Sequence, residues 1–383
     1  MPAEPYLYEI EASFQAGLLG KKPPMSFNPT SWEESAKKTL SANAWRYVSG
    51  NAGPGETEEK NRAAFRKWSI IPSRLVQTKY PSLSTTKIFN TEGEIAVATA
   101  AAELNVPFAL SSATCTSFED LSKAMPVSSQ KWYELYWPSN VNNDLTVTLL
   151  KRAKAAGFTA LFVTIDTYAM GWRYVDMDNG YNPFLVADHV GVELGLTDPL
   201  FQQKFRAKHG VEATNDIGQA AKEWASIHTP GTSHTWEDLN FLKQHWDGPI
   251  VLKCIQSVAD AKKAVEFGMQ GIVVSNHGGR QQDGVPGTLE SLPAIVDVVG
   301  EKLDVFFDSG VRSGVDIAKA LALGAKCVLV GRPYIWGLAI DGKKGVVHVL
   351  KALLGEFQMT LHQAGIPSVT AGELNRDRLL CST

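Results

Sequence analysis

Gly271-Ile272-Val273-Val274-Ser275-Asn276-His277-Gly278-Gly279-Arg280-Gln281-Gln282-Asp283 is the stretch whose reading decides the fold. Its first four residues form an apolar run bounded by glycine, which reads as a buried strand. His277 and Arg280 then leave the strand's C-terminal end on a glycine-loosened loop. In a β/α barrel that end is the catalytic face, where a base and an anion clamp are useful. A lone histidine there would ordinarily be a solvated turn residue. The surrounding pattern turns the reading toward function.

Working outward, similar apolar runs fall at residues 106–112, 132–138, 160–166, 249–255, 304–310 and 327–333. Helix-period segments lie between most of them, for example 145–156 and 258–267. This alternation predicts parallel βαβ units. No Gly-x-Gly-x-x-Gly follows the first strand, which weighs against an open dinucleotide-binding sheet. The expected fold class is therefore α/β, a (β/α)8 TIM barrel. With the opening run, seven strands are counted where eight are needed. The first barrel strand is thus expected to be missing or replaced, with 70–76 and 86–89 as candidate substitutes and Pro72 ill placed for a central strand. Residues 1–68 read as an N-terminal helical cap, with a helix at 31–40, and 69–383 as the barrel. The excursion 177–244, between the fourth and fifth barrel strands, is long enough to read as a lid.

Composition narrows the partners. A chain of 383 residues with 44% hydrophobic content can bury a large core, and a net charge of −3 argues against nucleic acid or an anionic membrane. No apolar run approaches the roughly 18 residues of a membrane span. The start carries no signal-peptide pattern, and Leu380-Cys381-Ser382-Thr383 is not a Ser-Lys-Leu address. Cys115, Cys254, Cys327 and Cys381 are widely spaced, which suits buried thiols in a reducing compartment better than disulfides or a metal site. A cytoplasmic location follows as the expectation.

Polar groups collect at the strand ends. Tyr136, Asp166, Lys253, His277 with Arg280, Asp308 through Arg312, and Gly331-Arg332-Pro333 each end or follow a different run. Singly, Tyr136 could be interfacial, Asp166 a helix cap and Lys253 a snorkelling side chain. Together they favour a mixed-charge pocket. Gly310 and Gly331 let backbone N–H groups approach an anion, and Arg312 and Arg332 supply bidentate charge. Loops after the last two strands are the usual phosphate position in such barrels, so a phosphate-bearing cofactor or substrate is expected.

The runs Ser-Asn-His-Gly-Gly-Arg-Gln at 275–281, Asp-Ser-Gly-Val-Arg-Ser-Gly at 308–314 and Gly-Arg-Pro-Tyr at 331–334 resemble the FMN-dependent α-hydroxy acid oxidase family over nearly the whole chain. Within it the chain looks most similar to lactate 2-monooxygenases, on Met25-Ser26, Trp32, Gly171-Trp172-Arg173 and the segments 198–205 and 233–238. The resemblance implies FMN as cofactor and oxidation of an L-2-hydroxy acid with O2, giving H2O2 or coupled decarboxylation. It implies His277 as general base, Asp166 as its orienting partner, and Tyr47, Tyr136, Arg173 and Arg280 around the substrate. Ser112, Glu134, Thr164, Lys253 and Ser275 would surround the flavin ring, with Asp308, Gly310, Arg312, Gly331 and Arg332 toward the ribityl chain and phosphate. Glu134 departs from the family, which has glutamine there. A homo-oligomer, tetrameric or larger, is also implied. Two other readings compete: an FMN oxidase of an amine-like or partly reduced heterocyclic intermediate, and a barrel impaired by the lost strand.

Overall fold

A parallel strand covered on both faces has no polar side, so its sequence is a near-continuous apolar run. The runs read above become the staves of a barrel in the computed structural model, which describes residues 8–72, 87–88, 93–180, 182, 184, 191–369 and 372–382. The strands are β1 (Lys87–Ile88), β2 (Phe108–Ser111), β3 (Lys131–Tyr136), β4 (Ala160–Thr164), β5 (Ile250–Ile255), β6 (Gly271–Val274), β7 (Asp304–Phe307) and β8 (Cys327–Val330). They close in chain order, β1 lying parallel to both β2 and β8.

The missing strand is thereby replaced rather than lost. Two residues of the 86–89 candidate, Lys87 and Ile88, bridge the gap through Ile88 opposite Phe108 and Lys87 opposite Leu329. Residues 86 and 89 themselves lie outside the described residues. Of the 70–76 candidate, Ile70 goes elsewhere: Trp68–Ile70 pairs antiparallel with Leu379–Cys381 outside the barrel, and residues 73–76 also lie outside the described residues. A closed sheet has no free edge, so the cost of unpaired backbone expected for a seven-stranded wall does not arise.

Strand alternation sorts side chains into two cores. Trp132, Phe162, Val251, Val273 and Leu329 point into the barrel with Phe306 against them, and Trp132 stacks on Phe162 at 4.7 Å. Their neighbours Tyr133, Leu161, Leu252, Ile272 and Val274 face the surrounding helices. The last helix, Arg332–Gln363, is interrupted at Asp341 and Gly342, where the backbone leaves helical geometry. At that break the backbones of Gly337 and Gly345 meet so closely that a Cβ on either would overlap the other.

The cap supplies helices Pro29–Thr39, Ala42–Ser49 and Glu56–Arg66. Glu56–Arg66 has no side-chain cap of its own. Asp283, the last residue of the opening stretch, takes that role by accepting the N–H groups of Gly55, Glu56 and Thr57 at 3.2, 3.2 and 2.6 Å. Between β4 and β5 the described residues of the long excursion include the helices Pro199–His209 and Ile217–His228. Among the described residues no helix is long and apolar enough to cross a membrane.

Candidate active site

The 275–283 loop is held open by its own polar groups. His277 sits at φ +57°, a left-handed conformation that costs energy for a side chain of its size. Ser275 Oγ accepts the His277 N–H at 3.1 Å, and Ser309 Oγ accepts the Gly278 N–H at 3.0 Å. The amides of Asn276 and Asn61 bond reciprocally at 2.8 and 2.6 Å, tying the loop to the cap. Thus held, His277 Nδ1 lies 3.0 Å from Asp166 Oδ1. Burial opposes ionisation of Asp166, but the facing His277 and, beyond it, Lys253 hold its carboxyl below the usual range. An ionised Asp166 fixes the proton on Nδ1 and leaves Nε2 as the basic atom.

Two cavities meet at this histidine. The first, about 350 Å³, is bordered by Glu134, Lys253, Asp308, Gly310, Arg312, Gly331 and Arg332, all expected from sequence. The second, about 440 Å³, runs from His277 toward the helix Ile217–His228 and is bordered by Arg173 and Ser112. Tyr47, Tyr136 and His277 border both.

At the end of the first cavity Arg312 and Arg332 converge. Arg332 donates to Glu58 Oε1 at 2.9 Å, Asn51 Oδ1 at 2.7 Å and the Val48 carbonyl at 3.1 Å. Arg312 reaches the same Glu58 oxygen at 3.2 Å. Burial lowers both guanidinium pKa values, that of Arg332 to about 10, while Glu58 counters it. Gly331 caps the long final helix without a side-chain bond, and the space where its Cβ would stand is open. At the other end Lys253 Nζ stands 3.8 Å from Asp308 Oδ2. Burial works against its charge, yet the carboxylates of Asp308, Glu134 and Asp166 around it hold its pKa well above the ordinary lysine value.

A cationic pair stands where the cavities meet, Arg173 bordering the second and Arg280 the first. Arg280 lies over the Tyr47 ring at 4.9 Å and Arg173 over the same ring at 5.9 Å. Arg280 donates to the Tyr47 and Gly50 carbonyls at 2.7 and 2.9 Å. Burial, reinforced by Arg173, lowers its pKa to about 10. Arg173 Nε donates to the Arg280 carbonyl at 2.9 Å, while its buried Nη1 makes no hydrogen bond and has the Asp176 carboxylate 3.7 Å away. A buried guanidinium donor with no hydrogen bond, one carboxylate at ion-pair distance and a second cation beside it is a site for a small anion. Burial raises the Tyr136 phenol well above its usual range, so its hydroxyl remains a donor.

Three sequence expectations land differently. Thr164 does not border the first cavity; its hydroxyl donates to the buried carboxylate of Glu134. Ser112 borders the second cavity, its Oγ accepting the Tyr136 N–H at 3.1 Å and pairing with Tyr133 Oη at 2.8 Å. Ser275 is fully buried and acts on the His277 backbone. Ala113 and Met170 also border the second cavity.

Sequence reading missed Glu58 and Asn51, which lie more than two hundred positions from the arginines they touch. It also missed Cys254, at φ +80° on a bulge of β5, with Sγ 3.9 Å from His277 Nδ1. Asp166, Cys254 and His277 have ligand atoms within 4.8 Å of one another. Burial and the Asp166 charge push the Cys254 thiol well above its ordinary range, and a protonated thiol is a poor metal ligand.

Comparison with known proteins agrees with this geometry. The FMN-dependent dehydrogenase family pattern matches residues 36–88 and 83–379, in two pieces that meet at β1. An FMN-dependent alpha-hydroxy acid dehydrogenase of Schizosaccharomyces pombe is 54% identical, over 98% of this chain and 96% of the relative. The L-lactate oxidase of Lysinibacillus sphaericus is 35% identical, over 88% of this chain and 89% of its own length. The crystal structure of a mandelate oxidase superposes with a TM-score of 0.78 at 30% identity, covering 94% of this chain and 99% of that one. The first cavity has the donors such a cofactor needs: a buried and a half-buried arginine and a helix N-terminus for a phosphate, and a lysine for an electron-rich ring edge.

Proposed function

The chain belongs to the FMN-dependent dehydrogenase family, an FMN-dependent 2-hydroxy acid oxidoreductase, and we propose that it oxidises an L-2-hydroxy acid with a lactate-like head group, using O2 as final acceptor. Oxidation to the 2-oxo acid removes two electrons and two protons. FMN, when bound, supplies the two-electron acceptor. The first cavity would hold it, with Arg312, Arg332 and Gly331 at the phosphate, Asp308 toward the ribityl chain, and Lys253 with Glu134 at the ring.

The observation carrying the reading is the His277–Asp166 pair at the junction of both cavities. In this reading His277 Nε2 takes a proton from the substrate, and the Asp166 carboxylate stabilises the resulting imidazolium. Arg173 and Arg280 bind the substrate carboxylate, which gives Arg173 Nη1 the hydrogen bond that Asp176, 3.7 Å away, does not. Tyr47 and Tyr136 orient the head group and keep bulk water from the reacting carbon. The named L-lactate oxidase relative supports O2 as acceptor, with H2O2 released or consumed in decarboxylating the oxo acid.

The test is anaerobic bleaching of the protein-bound flavin by L-lactate and larger L-2-hydroxy acids, followed by product analysis in air. His277→Gln is expected to abolish bleaching while flavin stays bound. Persistent bleaching in that variant would remove His277 as the base, and a wild type bleached by no 2-hydroxy acid would remove the substrate class.

A further inference from the structure

A three-carbon acid leaves most of the second cavity unused. Its volume of about 440 Å³ falls in the range that encloses a drug-sized ligand. Its far wall is the helix Ile217–His228, which presents Ala221 and Ala225, small side chains four residues apart that keep the space open. Trp224 and His228, also four apart, border the same space with their rings 4.5 Å from one another.

Both rings carry an unmet polar atom. His228 is 6% exposed, and its Nδ1 lies 3.1 Å from the Trp224 carbonyl. That contact places the proton on Nδ1 and leaves Nε2 as an acceptor. Burial holds the His228 pKa down at about 4, so the ring is neutral in ordinary buffers. Nε2 is buried without a hydrogen-bond partner, and the indole N–H of Trp224 is buried without an acceptor. Two such atoms on one wall of a roomy, mostly apolar cavity are an expense that a ligand can offset. A hydroxyl can donate to the one and accept from the other.

We propose that the far end of this cavity receives a bulky, largely apolar side chain of the 2-hydroxy acid, and that His228 selects side chains ending in a hydroxyl. The inference rests on the function proposed above, and it names His228 as a specificity-determining residue of that site.

The flavin-loaded full-length protein is given L-3-(4-hydroxyphenyl)lactate, L-3-phenyllactate and L-lactate under anaerobic conditions. Both aromatic acids are expected to reduce the flavin with higher kcat/KM than lactate, and the hydroxylated one to be preferred about tenfold over phenyllactate. His228→Phe should collapse that ratio to about one, whereas His228→Gln, which keeps an acceptor, should retain part of it. Because the readout is a ratio within each variant, a general loss of activity or folding cancels. Titration of the flavin spectrum with 4-hydroxyphenylpyruvate and phenylpyruvate reads the same preference without turnover. If no hydroxy acid bleaches the flavin but the oxo acids keep the His228-dependent ratio, the oxidation reading fails and the cavity assignment stands. The inference is overturned if lactate matches the aromatic acids, if His228→Phe leaves the ratio intact, or if an acid ending in a carboxylate is preferred, which would point to Lys222 instead.

Discussion

Burial of His228 makes a quantitative prediction about acid stability. In the folded protein its pKa is lowered from 6.5 to about 4 by burial, which outweighs the bond to the Trp224 carbonyl. Between those two values the unfolded chain binds a proton that the folded chain does not. Stability is therefore unaffected by this group above the unfolded value, falls as pH drops through the interval, and is fully lost from this source below the folded value. At 1.36 kcal/mol per unit the interval corresponds to about 3 kcal/mol, of which about 2 kcal/mol is lost by about pH 5.

The perturbation is His228→Phe, which keeps a ring of similar size and removes the titration. It also removes the Nδ1 bond, but that loss is the same at every pH and cancels in the comparison. Thermal melts of wild type and variant near pH 7.5 and near pH 5 give the four midpoints required. Burial lowers the His234 pKa too, so the variant will retain some acid lability. The wild type should lose about 2 kcal/mol more than the variant on acidification, roughly 2–3 °C in melting midpoint for a chain of this length. Parallel losses in the two proteins would refute a neutral, desolvated His228, and with it the acceptor role of its Nε2.

Arg332→Lys should weaken FMN binding by about tenfold or more, read by flavin fluorescence titration, because an ammonium cannot reproduce a planar fork anchored on Glu58, Asn51 and Val48. An unchanged dissociation constant would move the phosphate away from this arginine. Glu58→Gln removes the carboxylate that both Arg312 and Arg332 contact and that competes with a phosphate for them, so cofactor-free protein should melt earlier while FMN binds more tightly, and weaker FMN binding would contradict that competition. Gly345→Ala forces a Cβ onto the Gly337 carbonyl at the break of the last helix, and a loss of about 2–4 kcal/mol in urea denaturation is expected. A midpoint within error of wild type would show that the two halves can part freely.

Legibility in the sequence followed burial and chain distance. Strands β2 to β8 could be read within a few residues because strands buried on both faces are unbroken apolar runs. β1 could not, since two residues carry no period, and only the topological need for an eighth stave pointed to 86–89. The charged strand ends were legible because glycine and arginine at the ends of apolar runs are exceptional in a purely structural wall. Thr164 shows the limit of carrying over a polar position: on β4 it sits opposite Lys253, yet its hydroxyl is spent on Glu134, the departure from the family. Glu58 and Asp283 had no local signal at all, because their partners lie hundreds of residues away. His228 is a helix-terminal histidine with no sequence signal of its own; only the fold leaves one of its nitrogens without a bond.

The opening loop explains why cap and barrel cannot be separated in this protein. Each of its side chains or carbonyls fastens a different part of the site. Ser275 fixes the His277 backbone, Asn276 grips Asn61 of the cap, and the Gly278 carbonyl accepts from Arg332. Arg280 holds the Tyr47 and Gly50 carbonyls, Gln281 accepts from Arg173 at 3.1 Å, and Asp283 caps Glu56–Arg66. The strained φ of His277 persists because these contacts over-determine it. Loosening the cap therefore relaxes the histidine and the phosphate-side arginine together, while the inward core around Trp132 and Phe162 is untouched. Loss of FMN and loss of base geometry should be one event on unfolding of the cap, preceding collapse of the barrel wall, since the loop's bonds named above run to the cap and the strand ends and not into that inner core.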